Sequence, residues 1–322
     1  MNNKHLIAAA LGLAAVGASA QTVDELKRML AERDTTIADL RQRLAAVQPG
    51  TAARATPAPA ASAAADDDES RRALERALVR EGALVLPPYA FELTPQLSYA
   101  HWNHARGTAL RNSYTASLGL RLGLPGDAQI QLEIPYVRNT SAPASGSGLG
   151  DVDISFTKEL LREGAGRPGL LATVGYTAGT GDDGLTTGVP LGAGVHAWRG
   201  GLTAVKRLDP MVFFGALTYA VPSSRTISGV DYAPGNVVGL RLGGVLAASP
   251  DTSVSAGLNL GFPRSTRVGG IAVPDSNEPY GTLSLGVGTV LSRNVMLNVG
   301  ADVRVMGNAP NMRLTVSLPV RF

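Results

Sequence analysis

Histidine is scarce in this chain. Beyond His5 the 322 residues hold only His101, His104 and His196, so imidazole acid–base or metal chemistry must be built from these three. His101 and His104 flank Trp102 at a loop edge, a spacing that can bring two imidazoles to one metal ion. A metal centre needs more ligands than that pair supplies, and histidines beside a tryptophan fit an interfacial position better. His196 stands alone near a strand start. The run Gly179-Thr180-Gly181-Asp182-Asp183-Gly184 is able to cradle a cation, yet it lacks the oxygen spacing of a calcium loop and reads as a solvated turn. No nucleophile–base constellation stands out, so the sequence points to no catalytic residue, metal or cofactor, and to a protein that is not an enzyme.

The side chains with more to do are charged residues set between apolar ones. Glu92, Arg121, Glu133, Asp151, Asp153, Glu159, Arg199, Arg241, Asp302 and Arg304 share one side of a series of period-two runs whose other side is apolar. One face suits lipid and the other a wet lumen. The two signs are mixed along that inner face, which argues against strong selection by charge.

Twelve such runs follow Tyr89. Their apolar positions are Phe91 to Tyr99, Tyr114 to Leu122, Ile130 to Tyr136, Val152 to Phe156, Leu170 to Tyr176, Trp198 to Ala204, Phe213 to Tyr219, Val238 to Leu242, Val254 to Leu260, Leu283 to Val287, Leu297 to Val303, and a closing run. In that closing run Leu314, Val316, Leu318, Val320 and Phe322 alternate with polar residues. Connections near 125–127, 208–210, 249–251 and 292–294 are short, while those near 103–112, 139–149, 179–193, 222–236 and 263–278 are long. A membrane barrel has this asymmetry, with short turns on the periplasmic side and both ends of an even-stranded sheet there too. The expected fold is therefore all-β: a transmembrane antiparallel barrel over 89–322, closed by its last strand, which would also engage the barrel-assembly machinery. Twelve strands about 4.8 Å apart and tilted near 40° make a cylinder roughly 24 Å across, with about 10 Å left inside the side chains.

The N-terminal part is organised differently. Lys4 and His5, the apolar run Leu6 to Val16 and Ala18-Ser19-Ala20 form a signal peptide over 1–20. In 21–48, Val23, Leu30, Ile37 and Leu44 recur every seven residues, with Leu26, Leu40 and Val47 at the second apolar position and Arg33 where a fourth would stand. This is a coiled-coil seam of about three and a half heptads, and it predicts a homo-oligomer, a trimer for preference. A single amphipathic helix lying on another surface is the alternative. Residues 49–67 are rich in Ala, Pro, Thr and Ser and read as an extended tether. Over 68–88 the spacing of Ala73, Leu74, Ala77 and Leu78 predicts a short helix whose remaining surface carries Arg71, Arg72, Arg76 and Arg80. That helix either plugs the lumen, its arginines facing acids such as Glu133 and Asp153, or merely links the tether to the first strand.

Composition agrees with an exported, strand-rich chain. There is no cysteine, so no disulfide can brace it, and 38 glycines suit many tight turns. After the signal no apolar run reaches the roughly 20 residues of a spanning helix. A formal charge of +3 with scattered arginines gives no nucleic-acid footprint.

Gly148-Leu149-Gly150-Asp151-Val152, Leu160-Leu161-Arg162-Glu163-Gly164 with Arg167-Pro168, and Leu202-Thr203-Ala204-Val205-Lys206 with Asp209-Pro210 resemble the outer-membrane barrel family named for the phenol-degradation meta pathway. The resemblance covers Tyr89 to Phe322 and implies a transporter barrel. The order of signal, coiled coil, tether, short helix and barrel is similar to the trimeric secretion pore of functional-amyloid systems. The leading expectation is a gated channel for an unfolded exported polypeptide; the alternatives are, first, a passive uptake pore for small solutes, aromatic ones included, and second, an outer-membrane anchor whose coiled coil binds a periplasmic partner.

Overall fold

The computed structural model describes residues 84–103, 110–141, 144–184, 188–227 and 229–322. The signal peptide, the coiled-coil seam, the tether and the arginine-bearing helix expected over 1–82 lie outside the described residues, as does His104.

The strands are β1 (Phe91–His101), β2 (Leu110–Leu124), β3 (Ala128–Ser141), β4 (Ser145–Leu149), β5 (Val152–Leu161), β6 (Gly169–Ala178), β7 (Ala197–Leu208), β8 (Met211–Pro222) and β9 (Arg225–Ile227). They continue with β10 (Val230–Ala233), β11 (Val237–Ala247), β12 (Thr252–Pro263), β13 (Arg267–Val268), β14 (Ile271–Ala272), β15 (Tyr280–Val290), β16 (Met296–Met306), β17 (Met312–Ser317) and β18 (Val320–Arg321). Fourteen of them form one sheet. With β4 off its path and β17 and β18 sharing one place in it, the path has twelve positions, each strand antiparallel to its neighbours.

The sheet closes on itself. β1 pairs with β17 from Gln96↔Ser317 to His101↔Met312, and with β18 at Glu92↔Arg321 and Leu93↔Val320. Between β17 and β18 the expected continuous run is broken at Leu318 and Pro319, because proline brings no N–H to a ladder. The Leu318 N–H donates instead to Pro95 O at 3.0 Å and the Pro319 carbonyl accepts from Met296 N–H at 3.0 Å. Pairing then resumes, and Phe322 N–H donates to Phe91 O at 2.8 Å.

Eleven of the twelve expected runs lie wholly within strands of this closed path, and the closing run is divided between β17 and β18, with Leu318 in the break and Phe322 beyond β18. Their outer face is apolar: Leu97 and Trp198 are more than 60% exposed, and Tyr136, Val174, Leu217, Leu285 and Val303 are also bare. Such a face is unstable in water and finds its partner in hydrocarbon.

One rim carries short connections, at 125–127, 162–168, 209–210, 248–251 and 291–295. In the first of these Gly126 and Asp127 turn with φ of 80° and 56°, a geometry glycine and aspartate tolerate. The residues behind the family resemblance brace this rim. Glu163 accepts from the Arg207 N–H at 2.8 Å and faces Lys206 at 3.4 Å, while Arg162 donates to Asp127 at 2.6 Å. That hydrogen bond holds the Arg162 guanidinium above its ordinary pKa.

The opposite rim is longer and more ordered than expected. Residues 110–112 and 139–141 belong to β2 and β3 rather than to loops, and β4 extends a hairpin with β3. Two connections, β8 to β11 and β12 to β15, supply β9, β10, β13 and β14, which pair into a separate four-stranded sheet. Strands of two to four residues are too short to reveal a period.

The outer face yields a first prediction. Leu285→Arg, midway along β15, should lower stability in phospholipid vesicles by about 2–4 kcal/mol, read from urea-dependent refolding. An arginine that costs nothing there would mean that this face meets water.

Candidate functional site

The barrel interior holds a cavity of about 980 Å³. Seven of the ten charged residues assigned to the lumen line it: Arg121, Glu133, Asp151, Asp153, Arg199, Arg241 and Asp302. Glu92 is buried closer to the short-turn rim, in a hollow shared with Arg121 and Arg321. Glu159 and Arg304 keep the inward parity of their strands but do not line the cavity. Each lies near the C-terminal end of its strand, Glu159 toward the short-turn rim and Arg304 toward the opposite rim, where a side chain that alternates inward no longer meets the central space.

Several of the charges have partners inside the barrel. Arg199 donates to Asp153 at 3.0 Å, and Thr177 donates to the other oxygen of that carboxylate at 2.7 Å. Glu92 faces Arg121 at 3.4 Å and Arg321 at 3.3 Å, tying β2, β1 and β18 together inside the closure seam. Arg121 also donates to Gln131 at 2.9 Å. Asp302 accepts from Ser284 at 2.5 Å and stands opposite Arg313 in the ladder. The Arg241 guanidinium lies 5.2 Å from the centre of the Phe214 ring, a cation–π contact. Gly243 makes room for that ring, since a Cβ there would meet Phe214 Cζ at 2.5 Å.

Asp151 lines the cavity and has a second task. It precedes β5 and its two oxygens accept from Gly181 N–H at 2.9 Å and Ala193 N–H at 2.6 Å, so it anchors the 179–196 connection over the cavity. Asn139 adds a bond to Pro190 O at 2.5 Å. The acids of the Gly179–Gly184 run serve this loop: Asp182 accepts from Gly184 N–H at 2.8 Å and Asp183 pairs with Arg225. His196 meets the Tyr176 hydroxyl at 2.9 Å, with Trp198 packed on the same tyrosine. His101 sits between Asn112 and Asn103.

At the short-turn end one side of the lumen is filled. Leu171, Val205, Val212, Phe214 and Val245 form an apolar collar, and Leu84 and Val85, which precede the barrel, pack against it. Leu86 is 1% exposed and its N–H donates to Gln129 Oε1 at 3.0 Å. The chain leaves over Gly123, where a Cβ would overlap the Pro87 carbonyl. Tyr89, at a φ of 65°, then reverses it into β1. Residues 84–86, expected as part of a connector, are thus a stopper inside the barrel. Their three apolar residues carry no alternation and sit ahead of Pro87-Pro88, so in sequence they look like linker. Phe214 and Arg313 are equally hidden in the sequence: an aromatic on a polar face breaks the pattern, and Arg313 is one of several polar residues that alternate with the apolar closing run.

No protein-family profile matches the sequence, and no curated protein sequence matches it. Solved structures do. An outer-membrane channel from Pseudomonas putida F1 superposes with a TM-score of 0.65 at 20% identity, covering 74% of this chain and 97% of that one. The NanC porin gives 0.46 at 10% identity, covering 71% and 98%. The translocator domain of the autotransporter NalP from Neisseria meningitidis gives 0.44 at 10%, covering 81% and 98%. The first likeness is one of fold.

Replacing Glu92 by Gln leaves two guanidinium groups without their shared carboxylate. A loss of about 3 kcal/mol is expected in urea unfolding of the folded barrel, and an unchanged midpoint would mean that the triad does not brace the seam.

Proposed function

We propose that this protein is a channel of the bacterial outer membrane, with its short-turn rim in the periplasm and its apolar face against lipid. One observation carries the reading: a polar interior of about 980 Å³ is obstructed on one side of its short-turn end by three apolar residues of the same chain. A barrel serving only as an anchor has no need of a charged, water-accessible interior with a removable stop. The assembly machinery meets the barrel through β17 and β18, and the coiled coil of 21–48 brings copies together.

The cargo supported best by the geometry is small and polar. A cavity of this volume matches those that hold single small ligands, and its lining offers paired charges of both signs beside hydroxyls and amides such as Thr203, Thr218 and Asn259. A zwitterionic or hydroxyl-rich solute can exchange its water for these groups, whereas a purely apolar one leaves them unpaired. The second reading, export of an unfolded polypeptide, draws on the N-terminal heptads and tether, and it requires the stopper to leave the lumen entirely.

The stopper sets the resting state. Burying Leu86 contributes about 2 kcal/mol and its bond to Gln129 about 1 kcal/mol, which keeps the spontaneously open fraction below about 1%. Full-length protein carrying Leu84→Ser, Val85→Ser and Leu86→Ser together should conduct at least about threefold better than the natural chain in planar lipid bilayers, since hydroxyls gain little from the apolar collar. Equal conductance of the two, with both folded by heat-modifiable migration, would refute the gated-channel reading.

A further inference from the structure

The two halves of the inner wall differ at the periplasmic end. Around β6, β7, β8 and β11 it carries the large apolar side chains that hold the stopper. Around β12, β15, β16 and β17 the inward positions, Met296 apart, are small or polar, among them Gly257, Gly286 and Gly300. Between the two halves lies a crevice of about 170 Å³.

The crevice shares wall residues with a space at each of its ends. Phe214, Arg241 and Asp302 line it and also line the central cavity. Gln96, Asn298 and Ser317 line it and also line a hollow of about 110 Å³ that reaches Asn294 and Arg321 at the periplasmic rim. None of Leu84, Val85 or Leu86 lines the crevice or that hollow.

We propose that these three spaces form a second, permanent route: a polar side path along β12, β15, β16 and β17 that carries water and small hydrated ions past the seated stopper. It rests on the channel reading above and extends it, because the barrel then has two conducting states rather than an open and a shut one. The upper end of the path is flanked by Arg241 and Asp302, and its lower end by Glu92, Arg121 and Arg321. Ions of either sign therefore meet a counter-charge at each end. The crevice volume admits a few water molecules abreast of an ion and excludes the solutes that the central cavity can hold.

Gly300 is the residue on which the test turns. A Cβ there has only Leu285 O within 4 Å, at 3.6 Å, so a side chain enters the crevice without disturbing the wall. In planar bilayers with potassium chloride, the full-length natural chain should show a small, steady conductance. Gly300→Leu should lose at least two thirds of it, and Gly300→Ala should keep it. The chain has no cysteine, so Gly300→Cys provides a check that does not depend on a bulky residue folding: a charged methanethiosulfonate reagent should block the steady current. The triple serine variant of the stopper should retain its larger conductance when combined with Gly300→Leu.

A natural chain impermeable to potassium and chloride, alongside a conducting stopper variant, would overturn the side path and leave the channel intact. So would a Gly300→Leu variant, or a reagent-treated Gly300→Cys variant, that conducts as before. Absence of current from every variant would overturn both.

Discussion

Everything in this molecule depends on the pairing of β1 with β17 and β18. A sheet with an apolar outer face has nowhere to leave an unpaired strand edge, because an unmet N–H or C=O in hydrocarbon costs several kcal/mol. Closure removes the edges altogether. It also fixes which side chains point inward, since a one-residue slip anywhere would exchange the two faces. The interruption at Leu318 and Pro319 shows how tightly this is held: the groups freed by the proline are taken up at once by Pro95 and Met296. Glu92 reinforces the same seam from inside, bound to an arginine on each flank.

Much of this was legible in the sequence because lipid and water impose a period of two over long runs. Trp198 to Ala204 or Leu283 to Val287 announce strands by alternation alone, and their polar partners, such as Arg199 and Asp302, fall in the lumen as a direct result. Legibility fails where the period has no length to act over. β13 and β14, of two residues each, cannot display it. Nor does alternation say how far along the barrel a side chain stands, so Glu159 and Arg304 share the inward parity and yet miss the cavity. Leu84 to Leu86 were illegible for a different reason: three apolar residues in a row are equally at home in a linker, a strand start or a core, and only the collar of Val212 and Val245 decides among these.

The interior divides its labour. Paired charges such as Arg199 with Asp153 hold one another at fixed positions, so the lumen offers ordered dipoles rather than a net field of one sign. Phe214 lies where the two regimes meet, its ring serving the apolar collar and also the Arg241 guanidinium. Gly243 permits both by leaving space for that ring. A single glycine thus sets the boundary between the closed and the hydrated parts of the wall.

Tyr89 and Gly123 add a mechanical side to this arrangement. Tyr89 N–H donates to Gly123 O at 2.8 Å and Gly123 N–H donates to Ala90 O at 2.9 Å, two bonds that rivet the chain to β2 at the point where it turns from lumen to wall. A tensile load arriving along the chain from its amino-terminal side would reach Leu86 and its single bond to Gln129 before it reached the rivet. The stopper's contacts carry the load first, and β1 stands behind the rivet. Traction on the stopper and integrity of the barrel are in this way decoupled, as with a cork whose string is tied to the neck of the bottle rather than to a stave.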